Sequence, residues 1–174
     1  MFENIDGESN GGFRECSVVK QQFDKCYLFE PDKDCANIIK KRIAEEWRTD
    51  RIYLFEKGAW NTETELFFDT DPEYGASHIT DNAITKIKTA TIDDTVNTHV
   101  SYIKMDIEGA ELKALMGAKN TIIKYKPKLA ICVYHNMEDF LSIPEWLHNI
   151  VPDYKFYLRH HNWGAMETVL YAKI

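Results

Sequence analysis

Much that would mark a secreted, membrane-embedded or nucleic-acid-binding protein is missing from this chain of 174 residues. Its cysteines, Cys16, Cys26, Cys35 and Cys132, form no CxxC pair and no metal-like cluster. They read as reduced thiols of a cytoplasmic protein rather than a disulfide framework. No apolar run approaches the roughly 20 residues of a membrane-spanning helix. The opening MFENIDGESNGG lacks the charged-then-apolar order of a signal peptide. Positive charge is also scarce: Lys and Arg total 21 against 28 acidic residues, and the longest basic block is Lys40-Lys41-Arg42. A duplex-binding protein normally carries a basic face, so nucleic acid is disfavoured as a partner. No GxGxxG occurs, which counts against a nicotinamide-dependent oxidoreductase. With no internal repeat, linker or low-complexity segment, residues 1–174 read as one domain.

What is present is an alternation of short apolar runs and helical patterns. Cys26 to Phe29 predicts a strand closed by Glu30-Pro31-Asp32, because Pro31 disfavours helix at Glu30. Ala36, Ile39, Ile43 and Trp47 stand at helical spacing over 33–48, with Asp32 or Asp34 placed to cap the start. Strands follow at 52–55, 63–69 and 84–92, the second belonging to an antiparallel excursion, with 70–82 as a loop. The most informative stretch is YIKMDIEGAELKALMGA at 102–118, a buried strand that ends in Asp106 and turns through Gly109 into a helix. Open α/β sheets build ligand sites at such strand ends. That helix is predicted to run to about Lys124, with Leu112, Leu115, Met116 and Ile123 facing inward. A strand at 128–134, a helix at 138–150 bent or restarted near Pro144, and two closing strands around a turn containing Gly164 complete the pattern. The order predicts an α/β sheet with an antiparallel end.

The stretch Ile103 to Glu111 fills the pattern apolar-Lys-apolar-Asp-apolar-Glu-Gly-Ala-Glu at every position. With DGES, FEPD, KGAWN, TIDD, KPKLAICVYH and the ending RHH…ETVLYA in the same order, the chain from about Asp6 onward resembles the FkbM-family methyltransferases. These enzymes use S-adenosylmethionine to methylate hydroxyl groups. The resemblance implies a Rossmann-like class I methyltransferase sheet of order 3-2-1-4-5-7-6. It also implies a small hydroxylated acceptor, such as a sugar in a surface polysaccharide or a secondary metabolite of a bacterial cell.

Individual residues gain expected roles from this. Glu30, closing its strand, is placed to accept hydrogen bonds from ribose hydroxyls. Gly58 and Ala59 are small enough for a flat ring to approach, and the resemblance puts the adenine there beside Trp60 or Asn61. Asp6 and Gly7 align with the tail of the family's first glycine motif, which grips the methionine part of the cofactor. Asp106 could contact the sulfonium or the acceptor hydroxyl, and Glu108 stands beside it. A carboxylate at the end of an apolar strand is costly unless paired or solvated. Glu108 and Glu111 also suit the positive end of the following helix. His135 is the expected general base, since its strand should open on the same rim as Asp106 and an imidazole can accept a hydroxyl proton near neutral pH. Lys104, Arg159 and His160 are candidates for acceptor binding. A metal site from His135, His160 and a carboxylate finds no support in ligand spacing, and none is expected.

One departure from the family pattern shapes a further expectation. Aligning Asp6-Gly7-Glu8-Ser9 with the tail of the first motif sets Met1 and Glu3 where its Asp and first Gly belong. The first strand would then precede Met1, leaving strands 2 and 4 with bare inner edges. An N-terminally truncated enzyme with weak cofactor binding, and a homodimer formed through those edges, are expected. The alternative is a catalytically inactive nucleotide- or carbohydrate-binding module.

Overall fold

Continuous apolar runs such as Leu129–Val133 need cover on both faces of a sheet, and the fold supplies it. The computed structural model describes residues 2–6, 23–45, 49–70, 77–79, 85–161, 163 and 167–174. In chain order its elements are β1 (Phe2–Asp6), β2 (Phe23–Phe29), α1 (Lys33–Glu45), a 3-10 turn (Thr49–Arg51), β3 (Ile52–Phe55), β4 (Gly58–Ala59), β5 (Glu65–Thr70), β6 (Ser77–Ile79) and β7 (Thr85–Ala90). They continue with α2 (Ile92–Thr95), β8 (Tyr102–Met105), α3 (Glu111–Met116), α4 (Lys119–Tyr125), β9 (Lys128–Cys132), α5 (Asp139–Ile150), β10 (Lys155–His160) and β11 (Thr168–Lys173).

Seven strands form the main sheet in the order β3-β2-β1-β8-β9-β11-β10. From β3 to β9 neighbouring strands run parallel, and β11 runs antiparallel to both β9 and β10. Numbered within this sheet, that is the order 3-2-1-4-5-7-6 implied by the resemblance. The larger core joins Ile103, Met105, Leu129, Ile131 and Val133 of the central strands to Leu115, Ile122, Ile143 and Leu147 of the helices. A second cluster packs Ile39 of α1 on Phe23, Cys26 and Leu28. The small excursion is a second sheet, β4-β7-β5-β6.

Four expectations are corrected. First, the central slot is not empty. Phe2–Asp6 fills it, with Ile5 in register with Tyr27 on one side and Ile103 on the other. The expected position before Met1 follows from aligning Asp6-Gly7-Glu8-Ser9 with the tail of the first motif, whereas the sheet uses the residues immediately ahead of Gly7 as that strand. Both inner edges are therefore paired, and the bare edges expected to drive edge-to-edge dimerisation are absent among the described residues. Second, the 70–82 segment includes β6, which pairs antiparallel with β5 from Phe68↔Ile79 to Thr70↔Ser77.

Third, the single helix expected over 108–124 is two. It begins at Glu111 and breaks at Gly117-Ala118. Asp93 causes the break from a distance: its backbone N–H donates to Gly117 O at 2.9 Å, and its carboxylate accepts from the N–H groups of Asn120 and Thr121 at 2.9 and 2.8 Å. The carboxylate thereby caps the second helix. Fourth, two side chains expected to face inward point outward: Met116 at the end of α3 is 36% exposed and Ile123 of α4 is 43% exposed, while Ala114, Ala118 and Ile122 are buried.

The Pro144 region forms part of one helix rather than a fresh start. Asp32 is the α1 cap, accepting from Cys35 N–H at 2.8 Å. Trp47 and Gly164 lie outside the described residues.

Gly117 gives the fold its clearest test. A Cβ there would stand 1.9 Å from the carbonyl oxygen of Trp60, which is backbone and has nowhere to go. Gly117→Ala should therefore destabilise the protein by about 1–3 kcal/mol through overpacking. The urea unfolding midpoint measures this, and an unchanged midpoint would show that the two loops part freely.

Candidate functional site

Parallel strands deliver their carboxyl ends to one rim, and here that rim collects residues far apart in sequence. Crossing it from β3 to β10, one meets Gly58–Trp60, Glu30, Asp6, Asp106, the His135 loop and finally Arg159-His160. At about 4.8 Å per strand, Glu30 and Asp106 stand ~10 Å apart laterally, and His135 lies one strand further.

The centre of the rim is a charged cluster. After β8 the chain turns through Glu108 (φ 55°) and Gly109 (φ 89°), both left-handed. Gly109 suits that backbone, and its missing side chain leaves room for Asn136, whose amide nitrogen would lie 2.8 Å from a Cβ. Glu108 has no such freedom, and a non-glycine residue in this conformation is a recognised mark of a site under constraint. Asn136 straps the turn by donating to Gly109 O and to Asp139 Oδ2, each at 3.1 Å.

Glu111, the first residue of α3, is fully buried. Its Oε1 accepts from Ile107 N–H at 2.9 Å and lies 2.9 Å from His135 Nδ1. A carboxylate only accepts, so Nδ1 carries the proton and Nε2 is left to face the rim. There Nε2 stands 3.6 Å from Asp106 Oδ1 and 3.4 Å from Glu108 Oε2. Asp106 Oδ1 also accepts from the Tyr134 hydroxyl at 3.0 Å. Burial works against a charged His135, but the hydrogen bond and charge of Glu111, backed by Glu108 and Asp106, outweigh it and hold the pKa above its ordinary value. Burial pushes the Cys132 thiol up, with Asp106 adding to the shift, so this cysteine stays a thiol.

The other candidates are distributed around this centre. Glu30 is 6% exposed, and its Oε1 accepts from Asp32 N–H at 2.8 Å, so part of the carboxylate shapes its own turn. Gly58 and Ala59 form β4 against β7 rather than a plain turn. The side of Gly58 where a Cβ would stand faces Ile87, Thr89 and Pro31 at 3.4 to 3.9 Å, so that side of the backbone is already packed. Trp60 is half-buried, held by its N–H to Ala90 O at 2.9 Å.

Asp6 ends β1 in register with Lys104 of β8, while Gly7 lies outside the described residues. Arg159 and His160 reach the same rim two strands beyond His135, where Arg159 donates to Leu158 O and His160 Nδ1 meets Thr168 Oγ1 at 2.8 Å. They belong to the margin of the cluster, not to it. The TIDD motif is structural: Thr91 caps α2, accepting from Asp94 N–H at 3.0 Å, and Asp93 caps α4. Glu111 is the residue that sequence reasoning undervalued. Its position at a helix start reads as a charge-on-dipole cap, and nothing local reveals that the carboxylate is buried against a histidine from β9.

Comparison with known proteins bears on this arrangement. The sequence profile described as the methyltransferase FkbM domain matches residues 6–157. A search of curated protein sequences gives no match. Among solved structures, methyltransferase FkbM from Methylobacillus flagellatus KT is similar at 31% identity with a TM-score of 0.80. That similarity covers 98% of this chain and 43% of the other, so this chain spans less than half the length of that relative. An rRNA methylase from Streptococcus thermophilus (12% identity, TM-score 0.61, 99% and 86% covered) shares the fold. So does TrmK of M. capricolum, solved with S-adenosylhomocysteine (11%, 0.57, 99% and 61%).

The Glu111–His135 pair has a direct spectroscopic consequence. NMR titration of the His135 ring should give a pKa above about 6.5, and Glu111→Gln should lower it, since burial then acts with less opposition. A histidine whose folded pKa is raised contributes stability fully present below the unfolded pKa and lost as pH rises through the folded value. The stability difference between wild type and Glu111→Gln should accordingly shrink as pH rises across that window. An unshifted ring pKa in the variant would show that the pairing is not the cause.

Proposed function

The chain belongs to the FkbM methyltransferase family, and from that premise we propose that it transfers the methyl group of S-adenosylmethionine to a hydroxyl of a small acceptor. The acceptor class we favour is a sugar of a surface polysaccharide or a secondary metabolite, modified in the cytoplasm of a bacterial cell. The observation that carries the reading is the Glu111–His135 pair, which holds Nε2 toward Asp106 and Glu108 at the carboxyl end of the central strands.

Bound S-adenosylmethionine would supply an electrophilic methyl group to the acceptor oxygen and leave as its thioether, S-adenosylhomocysteine, while His135 Nε2 would take the hydroxyl proton. Glu111 fixes the tautomer that allows this, as the carboxylate does in a nucleophile–histidine–carboxylate triad. Alignment and proton removal are what a hydroxyl acceptor requires.

Asp106 orients the sulfonium or the acceptor. Glu30 is assigned to the ribose, Trp60 with Gly58 and Ala59 to the adenine, and Asp6 and Gly7 to the methionine part. Lys104, Arg159 and His160 are assigned to the acceptor side. The acidic charge of the chain supports a small molecule over nucleic acid. Among the described residues no helix is long and apolar enough to cross a membrane. An inactive binding module was favoured by an empty central slot, and β1 removes that ground.

Screening hydroxylated acceptors with labelled cofactor tests the reading, and exclusive transfer to nitrogen or to a nucleic acid would overturn it. Glu30→Ala removes a charge-assisted acceptor of about 1.5–3 kcal/mol, so cofactor affinity should fall roughly tenfold or more in calorimetry. Equal affinity would make Glu30 a turn residue only. His135→Ala should cut turnover by about 100-fold or more while leaving cofactor binding nearly intact, whereas Asp106→Ala should damage both. Full turnover in His135→Ala would move the base elsewhere on the rim.

A further inference from the structure

The rim cluster gathers carboxylates on both sides of one buried imidazole. Three carboxylates surround one imidazole: Glu111 on the Nδ1 side at 2.9 Å, Glu108 and Asp106 on the Nε2 side at 3.4 and 3.6 Å. The His135 side chain is 9% exposed and that of Glu111 is 0% exposed. Both Nε2 and Glu111 Oε2 are buried with no hydrogen-bond partner among the described residues. Once Nδ1–H is given to Glu111, the Nε2 lone pair points toward anionic oxygens. Like partial charges converging in a poorly solvated pocket repel unless something positive lies among them. A proton on Nε2 answers that need. A divalent cation answers it as well.

We propose that His135 Nε2 and the carboxylates of Asp106 and Glu108 form a binding site for a divalent transition ion of the zinc type, with Glu111 holding the imidazole from behind. The donor set is one imidazole nitrogen with carboxylate oxygens, which suits zinc, cobalt or nickel better than magnesium or calcium. Bonds of about 2.0–2.2 Å place tetrahedral ligands roughly 3.3–3.6 Å apart, and the Nε2 distances to Glu108 and Asp106 already have that spacing. The donor atoms of Asp106, Glu111 and His135 also lie within 4.8 Å of one another, which keeps Asp106 and His135 within reach of one ion.

A ligating histidine whose other ring nitrogen is bonded to a carboxylate is the usual outer-shell arrangement of metal sites. Sequence spacing gives no hint of it, because the ligands come from two separate strand ends. The inference rests on the reading of His135 as base in one respect. The ion and the transferred proton claim the same atom, Nε2–H plus cation giving Nε2–cation plus a released proton, so the loaded protein has no base and the ion inhibits transfer.

Titration of chelator-treated chain with Co²⁺, followed by the visible absorption of the bound ion and by Zn²⁺ competition, tests the site without any activity. One equivalent should bind, Glu111→Gln should weaken binding roughly 10- to 100-fold, and His135→Ala and Glu108→Gln should weaken it at least as much. Glu108 is partly exposed, so its variant keeps the comparison valid if His135→Ala fails to fold. No visible band at millimolar Co²⁺, or binding indifferent to His135→Ala and Glu108→Gln, overturns the proposal.

Methyl transfer measured alongside separates the two readings. Transfer that survives chelation and is suppressed by Zn²⁺ supports both. Transfer that requires the ion supports the site and overturns the base. Transfer that proceeds with no ion ever bound overturns the site alone.

Discussion

A buried carboxylate is expensive unless every demand of its charge is met nearby, and the rim of this protein is arranged around one. Glu111 has no solvent contact, and its Oε1 is shared between the Ile107 amide and the His135 ring. The first bond fixes how β8 turns into α3, and the second fixes the end of β9 against that turn. Because both use the same oxygen, the two strand ends cannot shift independently. The left-handed pair Glu108-Gly109 follows, for a turn this tight needs positive φ, and it carries the Glu108 side chain toward Nε2. Asn136 then closes the arrangement from the β9 side through Gly109 O and Asp139. The local shape of the site thus follows from the two bonds that one oxygen of this carboxylate accepts.

That charge works only because the sheet brings β8 and β9 together in register, Met105 opposite Ile131. The parallel pairing places Asp106 and the residues after Cys132 beyond the last ladder bonds, where side chains leave the core for the rim. β1 does the corresponding work on the other side. By pairing with both β2 and β8 it sets the lateral distance between Glu30 and Asp106. Further out, Asp93 ties the break between α3 and α4 to the loop after β7, and Gly117 lets that break sit against Trp60. The adenine side and the acceptor side of the proposed site are therefore coupled through packed backbone rather than through flexible side chains.

How much of this could be read from the sequence depends on whether the controlling interaction is local. Apolar runs ending in Glu30, Asp106 and His135 announce strands and rim residues, because the burial of a strand and the exposure of its end are both written into neighbouring residues. The strand order followed from the resemblance. β1 escapes the sequence reading because aligning Asp6-Gly7-Glu8-Ser9 with the tail of the first motif pushes the first strand ahead of Met1, and only pairing with β2 and β8 identifies Phe2–Asp6 as that strand. The helix break was missed because its cause, Asp93, lies well upstream, and with it went the inward assignment of Ile123. Nothing in KGAWN reveals that Gly58 and Ala59 pair with β7.

Glu111 is the instructive case. Near a helix N-terminus a glutamate is favoured for its charge alone, so its presence needs no further cause. Its burial, and the imidazole beside it, come from a different strand. An exposed helix-start glutamate would leave His135 free to adopt either tautomer, and Nε2 would have no fixed direction. With Glu111 buried and its Oε1 committed, the imidazole has a single orientation, and the two carboxylates on the far side act on a defined atom. Chemistry at this rim accordingly depends less on which residues line it than on the one that is hidden. Asp106 and Glu108 supply the field, but Glu111 decides which nitrogen feels it.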